Sequence, residues 1–138
     1  IAYTLATNRT YPSWGFMTDH GATTIWESWD GIREDGTVHD SLNHYSYGAI
    51  SGWLMGDVCG IRLSEGKLTI APKPSKVLGF AEGVWDSPIG KVVSKWRYDN
   101  DCLHICVQIP ANTSAKVFLP DGRELEVYCG EHAFVCKM

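Results

Sequence analysis

The spacing of apolar residues changes near residue 64 of this chain. Before that point no period is sustained, whereas after Gly66 apolar and polar residues alternate, as they do in half-buried strands. Turn-forming residues separate these runs at roughly the 8–12-residue spacing of all-β domains. The pattern predicts an antiparallel β-sandwich with almost no helix over residues 64–138. Its strands are expected at residues 67–71, 92–98, 103–109, 115–119, 125–128 and 133–135, with a turn at Gly130-Glu131.

The first part of the chain predicts short helical pieces and a long loop. Residues 1–9 are expected to form the end of a helix, which Pro12 and Gly15 prevent from continuing. Residues 11–40 contain four glycines and no sustained period, so we expect a loop that carries one helical turn near Ala22–Trp26. Structured loops of this length are usually functional.

A longer helix is predicted over residues 42–61, with Ser41 as its N-cap. Four glycines recur at intervals of four residues and would form one stripe on that helix: Gly48, Gly52, Gly56 and Gly60. Each glycine costs about 0.8–1 kcal/mol relative to alanine inside a helix. The stripe therefore predicts close packing against another backbone, from a helix outside this chain.

The composition is that of a soluble globular domain, with 44% hydrophobic and 20% charged residues among 138. A net charge of −4 disfavours nucleic-acid and anionic-membrane partners, and no apolar run reaches the ~18 residues of a membrane span. Residues 1–62 hold three arginines, no lysine and seven acids, together with four of the six tryptophans. An acidic, aromatic-rich segment is typical of sites for neutral polyols. Because the chain starts without Met or a leader pattern, we expect it to lie within a longer protein.

The cysteines do not predict a metal site. Cys102, His104 and Cys106 share one face of a strand, but Cys102 and Cys106 would lie ~13 Å apart at ~3.3 Å per residue. Zinc needs both sulfurs ~2.3 Å from one point. Cys129 and Cys136 flank a predicted hairpin whose register does not pair them, so we expect buried or half-buried thiols.

Polar and aromatic side chains alternate over residues 11–45. Aromatic faces pack on the C–H face of sugars, and carboxylates and imidazoles bind sugar hydroxyls. The residues alone leave two interpretations open, a sugar site or a set of core tryptophans among solvated acids, and no spacing identifies a carboxylate pair for hydrolysis. The polar candidates are Asp19, His20, Glu27, Asp30, Asn43 and His44, and the aromatic ones are Tyr11, Trp14, Trp26, Trp29 and Tyr45.

Six segments resemble the C-terminal part of bacterial α-L-rhamnosidases of glycoside hydrolase family 78. The most specific is Ala-Thr-Thr-Ile-Trp-Glu at residues 22–27, followed by Asn-His-Tyr at residues 43–45. The resemblance extends over essentially the whole chain. The six segments are residues 11–17, 21–31, 41–45, 67–74, 86–90 and 109–113.

The resemblance implies an α+β chain, with residues 1–63 as the end of an (α/α)6 catalytic barrel and residues 64–138 as a C-terminal β-sandwich. It implies part of an inverting glycosidase that removes terminal α-L-rhamnose, inactive alone because the general acid lies upstream. The implied partners are a rhamnosylated carbohydrate and the upstream barrel, without metal or cofactor. A bacterial cytoplasmic or periplasmic location is expected.

By the same resemblance Glu27 is the general base and His44 contacts the substrate, while Trp26 and Trp29 bind the sugar or support its pocket. The alternatives are that Glu27 is a helix-end carboxylate, that His44 is a packed first-turn histidine, and that Trp29 belongs to the core. Asp19, His20 and Asp30 are expected to be structural.

A rival interpretation is a non-catalytic carbohydrate-binding or interdomain support module. An exposed concave sheet face bearing Trp85, Trp96 and Tyr98 would indicate carbohydrate binding, whereas burial of these rings against the helical segment would indicate support. We also expect the helical part to self-associate through exposed apolar rings.

Overall fold

The computed structural model describes residues 1–33 and 35–137 and divides the chain into two compact units, residues 1–52 and 53–138. Regular structure before the strands is limited to short helical pieces, and within the described residues none of them is long and apolar enough to span a membrane. The pieces are α1 (Ala2–Ala6), α2 (Trp14–Asp19), a 3₁₀-helix (Ser46–Ala49), α3 (Ile50–Trp53) and a π-helix (Leu54–Val58).

The helix predicted over residues 42–61 is wrong at both ends. The Ser41 hydroxyl accepts a hydrogen bond from the Asn43 amide at 3.2 Å and donates one to the Asn43 carbonyl at 3.1 Å, so it closes a local turn instead of capping a helix. Helical structure begins only at Ser46. At the other end Gly60 adopts a φ of 75°, which ends the helical region and lets the next strand begin at Ile61.

The helical turn expected near Ala22–Trp26 lies earlier in the chain, in α2. The Ser13 hydroxyl accepts a hydrogen bond from the Phe16 amide at 3.0 Å and caps this helix. The sequence predicts that Gly15 stops a helix, but Gly15 lies inside α2. It is instead required because a side chain there would lie 2.3 Å from the Asn8 carbonyl oxygen.

The glycine stripe does not form. The helical region passes from 3₁₀ to α to π geometry, so a four-residue interval does not keep one face, and Gly60 lies beyond the helix. Apart from the chain neighbours and the backbone of the helix itself, no atom of the described residues lies within 4 Å of where a Gly48 or Gly52 side chain would begin. A side chain at Gly60, by contrast, would begin 2.2 Å from the Ala71 and Pro72 backbone.

The second unit is built on a sheet that has six strands in its described part, in the order β1-β2-β5-β4-β3 with β6 alongside β5. β5 pairs with β4 along its first half and with β2 along its second, while β6 follows it along both. The strands are β1 (Ile61–Ser64), β2 (Lys67–Ile70), β3 (Phe80–Ser87), β4 (Gly90–Asp99), β5 (Cys102–Phe118) and β6 (Glu124–Lys137).

The identity and continuity of the strands differ from the prediction, which lacks β1 and β3. Residues 103–109 and 115–119 belong to one strand, β5, whose register shifts between Ile109 and Ser114. β6 runs without a turn through Gly130, which has a φ of 116° and lies opposite that register shift. Gly130 therefore accommodates a bend in a continuous strand, not a hairpin. One pairing, β2 with β5, is parallel instead of antiparallel.

The two halves of this sheet form a sandwich-like arrangement around an apolar core. A methyl group at Gly83 in β3 would lie 2.8 Å from the Cys59 side chain and 3.4 Å from Ile61 Cδ1 in β1, which places these strands face to face. Alternate residues of β5 are buried, as the period of two requires. The predicted α+β class, short helices followed by a β-sandwich, is confirmed. The core includes Ile70, Val92, Trp96, Leu103, Ile105, Val107, Val117 and Cys136.

Two side chains of β4 close the end of the π-helix. Ser94 donates a hydrogen bond from its hydroxyl to the Cys59 carbonyl at 2.6 Å, and Trp96 donates one from its indole N–H to the Val58 carbonyl at 2.7 Å. These carbonyls lie at a helix C-terminus, where no intrahelical donor remains. The strand thus supplies the caps that the helix sequence lacks.

All five cysteines are free thiols. Cys59 and Cys136 are buried and Cys102 and Cys106 half-buried, as expected, but Cys129, which lies in β6, is exposed. Burial raises the pKa of the Cys59 and Cys136 thiols.

Candidate active site

A short backbone ladder brings Glu27 and His44 to the same part of the first unit. The Glu27 amide donates to the Ser41 carbonyl at 2.9 Å, and the His44 amide donates to the Ile25 carbonyl at 2.8 Å. The Thr24 hydroxyl adds a hydrogen bond to the Leu42 carbonyl. Two loop segments far apart in sequence are therefore held side by side, with the candidate base on one and the candidate substrate contact on the other.

The Glu27 carboxylate is exposed and fixed at one oxygen. Its Oε2 accepts a hydrogen bond from the Ser41 amide at 3.2 Å. Among the described residues no group donates to Oε1, so this oxygen keeps its lone pairs for a ligand or water. Glu27 lies outside any helix, and so it is not a helix-end carboxylate.

The His44 imidazole is half-buried and held through Nδ1. The Ser46 amide lies 3.2 Å from Nδ1 and the Ser46 hydroxyl 2.9 Å from it. The ring stacks on Tyr45 with a centroid separation of 4.9 Å and an interplanar angle of 22°. Within the described part of the chain Nε2 has no hydrogen-bond partner and remains the free end of the ring.

The two candidate tryptophans occupy different environments. Trp26 is 1% exposed, and its ring lies 3.0 Å from where a Gly31 side chain would begin, so it supports the loop from within. Trp29 is half-buried, stacks on Tyr47 at 3.9 Å and meets Trp14 edge-on at 5.3 Å. The Trp14 indole N–H also donates to the Tyr47 carbonyl at 3.1 Å, which ties this aromatic cluster to the start of the 3₁₀-helix.

The remaining polar candidates have local partners. Asp19 forms an ion pair with Arg9, and Asp30 lies 3.9 Å from Arg33. His20 Nδ1 lies 2.8 Å from the Phe16 carbonyl oxygen. These contacts agree with the structural roles expected for them.

Asp40 was not singled out in the sequence, although it lies beside the ladder. Its carboxylate accepts a hydrogen bond from the Ser28 hydroxyl and lies 3.0 Å from His39 Nε2. Its φ of 59° is uncommon for a residue with a side chain. Nearby, hydrogen bonds from the Thr37 side chain and backbone lower the pKa of the Asp35 carboxyl and hold the turn at Gly36. No spacing rule identifies Asp40, because its neighbours come from a separate segment.

No three His, Cys, Asp or Glu side chains of the described residues come together as metal ligands. The chemistry available in this unit is that of a carboxylate, an imidazole and aromatic rings. That set suits binding a neutral polyol and moving a proton.

Residues 1–58 match the bacterial alpha-L-rhamnosidase 6 hairpin glycosidase domain, and residues 66–133 match the bacterial alpha-L-rhamnosidase C-terminal domain. This chain belongs to the bacterial α-L-rhamnosidase family. The family domain that covers residues 1–58 contains both segments of the Glu27–His44 ladder. The predicted boundary after residue 63 falls between the two matched ranges and stays a prediction.

Individual α-L-rhamnosidases show the same relationship. Those of Streptomyces avermitilis and Formosa agariphila are 35% and 39% identical over 127 residues, 87% of this chain. The crystal structure of the Aspergillus terreus enzyme matches 99% of the chain with a TM-score of 0.90 and 28% identity. The Streptomyces avermitilis enzyme complexed with L-rhamnose matches 98% with a TM-score of 0.82 and 31% identity.

This chain spans only a small part of these α-L-rhamnosidases. It covers 12% and 14% of the two curated relatives, and 17% and 16% of the two solved structures. The activity of a whole α-L-rhamnosidase is therefore a property of a much longer chain than the one described.

Proposed function

We propose that this chain supplies the general-base side of an inverting α-L-rhamnosidase active site, with Glu27 as the base. The observation that carries the proposal is the ladder that holds Glu27 beside His44 while leaving Glu27 Oε1 free. A base needs an accessible lone pair in a fixed position. The Ser41 amide fixes the carboxylate without occupying that lone pair.

In the proposed reaction Glu27 takes a proton from a water molecule as the water oxygen bonds to the anomeric carbon. The glycosidic C–O bond breaks, and the leaving oxygen receives a proton from a general acid outside this chain. Inverting enzymes place the two carboxyl groups about 6.5–9.5 Å apart so that water fits between them. The product sugar then has the opposite anomeric configuration.

The other site residues have distinct proposed roles. His44 contacts a sugar hydroxyl through Nε2, the end of the ring that is free. Trp29, which is half-buried, borders the sugar, while the buried Trp26 supports the segment that carries Glu27. The expected substrates are carbohydrates that end in α-L-rhamnose.

Glu27→Gln in the full-length enzyme tests the base. The amide keeps the shape but cannot take a proton, so kcat should fall ~10²–10⁴-fold while KM changes little. Azide needs no deprotonation, so it should restore turnover of an aryl α-L-rhamnoside and give a glycosyl azide of inverted configuration. Asp30→Asn, a nearby carboxylate in an exposed ion pair, is the matched control and should leave kcat within about twofold.

Two outcomes would overturn the assignment. One is near-normal kcat in Glu27→Gln. The other is α-L-rhamnose as the first anomer seen by NMR during hydrolysis of an α-L-rhamnoside. Because the general acid is supplied by another part of the enzyme, residues 1–138 expressed alone should not hydrolyse aryl α-L-rhamnosides, and turnover by this chain would contradict that division of roles.

For the second unit we propose a supporting role. Trp96 is buried and bonded to the Val58 carbonyl, and Trp85 and Tyr98 are half-buried on the same sheet face. These rings therefore do not form the exposed aromatic platform that carbohydrate binding at this face would need. In the full-length enzyme His44→Ala should weaken pull-down on a carbohydrate that ends in α-L-rhamnose, whereas Trp85→Phe should leave it unchanged.

A further inference from the structure

The described residues restrain His44 at its backbone amide, at its ring face and at Nδ1, and leave Nε2 free. Its backbone amide is bonded to the Ile25 carbonyl at 2.8 Å, its ring face is stacked on Tyr45, and its Nδ1 faces two groups of Ser46. A neutral imidazole carries one hydrogen, on either Nδ1 or Nε2, and the choice decides whether the free end donates or accepts.

The Ser46 amide decides this choice. A hydroxyl can rotate and either donate or accept, but a backbone N–H always donates. The amide points at Nδ1 over 3.2 Å, so a hydrogen on Nδ1 would face another hydrogen. Nδ1 must therefore be the unprotonated acceptor, and the Ser46 hydroxyl at 2.9 Å adds a second donor to the same atom.

We propose that Ser46 is a positioning residue that holds His44 as the Nε2–H tautomer, so that His44 donates a hydrogen bond to a sugar oxygen. This proposal rests on the proposed function, in which His44 contacts the substrate. It adds which of the two partners donates the hydrogen bond in that contact. The bound sugar must present a lone pair to Nε2, and His44 is a donor to substrate, not a second proton acceptor beside Glu27.

A plainer role for the same contact is capping. Ser46 begins the 3₁₀-helix, and Nδ1 could simply satisfy its free amide. Two substitutions in the full-length enzyme separate the roles. In His44→Asn the side-chain oxygen can still reach the Ser46 amide, but no donor reaches the position of Nε2. In His44→Gln an amide N–H reaches the Nε2 position while the cap is lost.

We expect His44→Gln to keep at least fivefold more kcat/KM than His44→Asn, because one net hydrogen bond of about 1 kcal/mol corresponds to about fivefold. Thermal unfolding should show the opposite order, with His44→Asn the more stable. Equal kcat/KM, or a higher value in His44→Asn, would overturn the donor assignment and leave only the cap.

Ser46 is tested by its own pair of variants. Ser46→Ala keeps the amide that fixes the tautomer and removes only the second donor to Nδ1, so kcat/KM should fall by no more than about fivefold, and Ser46→Thr, which keeps the hydroxyl, should restore any loss. In a His44→Gln background Ser46→Ala should have no further effect on kcat/KM. A loss of kcat/KM that is the same in both backgrounds would refute the positioning role. Normal activity of Glu27→Gln would instead mean that the proposed function itself fails.

Discussion

The two compact units of this chain are stabilised in different ways. In residues 53–138 apolar side chains from successive strands are buried together, whereas among the described residues of 1–52 the buried apolar side chains are those of Met17 and Trp26. The first unit is shaped instead by polar side chains that bond nearby backbone groups, such as Ser13 to Phe16. Such contacts fix local conformation but contribute little net stability each, about 0.5–1.5 kcal/mol.

This difference predicts that catalysis and unfolding depend on different units of the chain. Changes at Glu27 or His44 should alter catalysis and leave unfolding of the second unit unchanged. Changes in the strand-rich unit should alter unfolding first. The following substitutions test this separation, from the largest expected effect to the smallest.

Trp96→Ala should be the most damaging single change in the second unit. It removes a ring that is 2% exposed together with the indole donor to the Val58 carbonyl. Loss of a buried aromatic side chain costs about 3–5 kcal/mol, which chemical denaturation of the chain would measure. Trp85→Ala, in the paired strand and only half-buried, is the matched control and should cost clearly less.

Trp96→Phe covers the case in which the alanine variant does not fold. Phenylalanine keeps most of the packing but leaves the Val58 carbonyl without its donor, which costs about 1–3 kcal/mol. A stability equal to that of the unmodified chain would show that this helix end does not depend on the Trp96 donor.

Gly60→Ala should be the next largest effect. A side chain there would lie 2.2 Å from the Ala71 carbonyl carbon and the Pro72 nitrogen, at a residue whose φ is 75°. Gly66 has a nearly identical φ of 73° with nothing within 4 Å, so Gly66→Ala measures the backbone cost alone. We expect about 1 kcal/mol for Gly66→Ala and about 3 kcal/mol for Gly60→Ala. Equal losses of unfolding free energy in Gly60→Ala and Gly66→Ala would mean that the close approach of Gly60 to Ala71 is not needed.

Asp57 should make the stability of the second unit depend on pH. A hydrogen bond from the Lys73 side chain, with the charges of Lys73 and Arg62, lowers the pKa of this carboxyl below its usual value. A carboxyl with a lowered folded pKa stabilises the fold above its unfolded pKa of ~3.9, and that contribution is lost as the pH falls through the folded pKa.

Asp57→Asn should therefore cost about 1 kcal/mol at pH 7 and clearly less at pH 2, which is below the unfolded pKa of ~3.9. Unfolding curves at several pH values would measure this convergence. Asp86→Asn, an exposed carboxylate in β3, is the control for a general charge effect. A loss for Asp57→Asn that is the same at both pH values would show that its ionisation does not contribute.

The strands were predictable where their alternation is long and buried on one face. Residues 103–109 show this well, because every second side chain enters the core. β1 was missed because four residues directly after a helical region give too little pattern. The continuity of β6 could not be predicted because Gly130 is typical of a turn. Only the pairing of β6 with β5 shows that Gly130 accommodates a bend in a continuous strand.

The candidate site was less predictable from local pattern. Glu27 and His44 were identified through resemblance to a family motif, since seventeen positions separate them in a loop without a period. Ser41 and Ser46 were not recognised as the residues that fix them. Both act through backbone amides, whose partners depend on the loop conformation and not on residue type.

Gly52→Ala should have the smallest effect and the opposite sign. Gly52 lies in α3, and apart from its chain neighbours and the backbone of its own helix no atom of the described residues lies within 4 Å of where a side chain would begin. Alanine should therefore stabilise this chain by about 0.5–1 kcal/mol, because it has less conformational entropy to lose.

The sequence pattern predicts that Gly48 and Gly52 pack against a helix outside this chain. If so, the same substitution should destabilise the full-length enzyme, because a methyl group would enter that contact. Thermal unfolding of both proteins, each with Gly52→Ala, gives the two signs directly. Stabilisation in both would show that Gly52 faces solvent in the whole enzyme and that its lack of a side chain has no packing role.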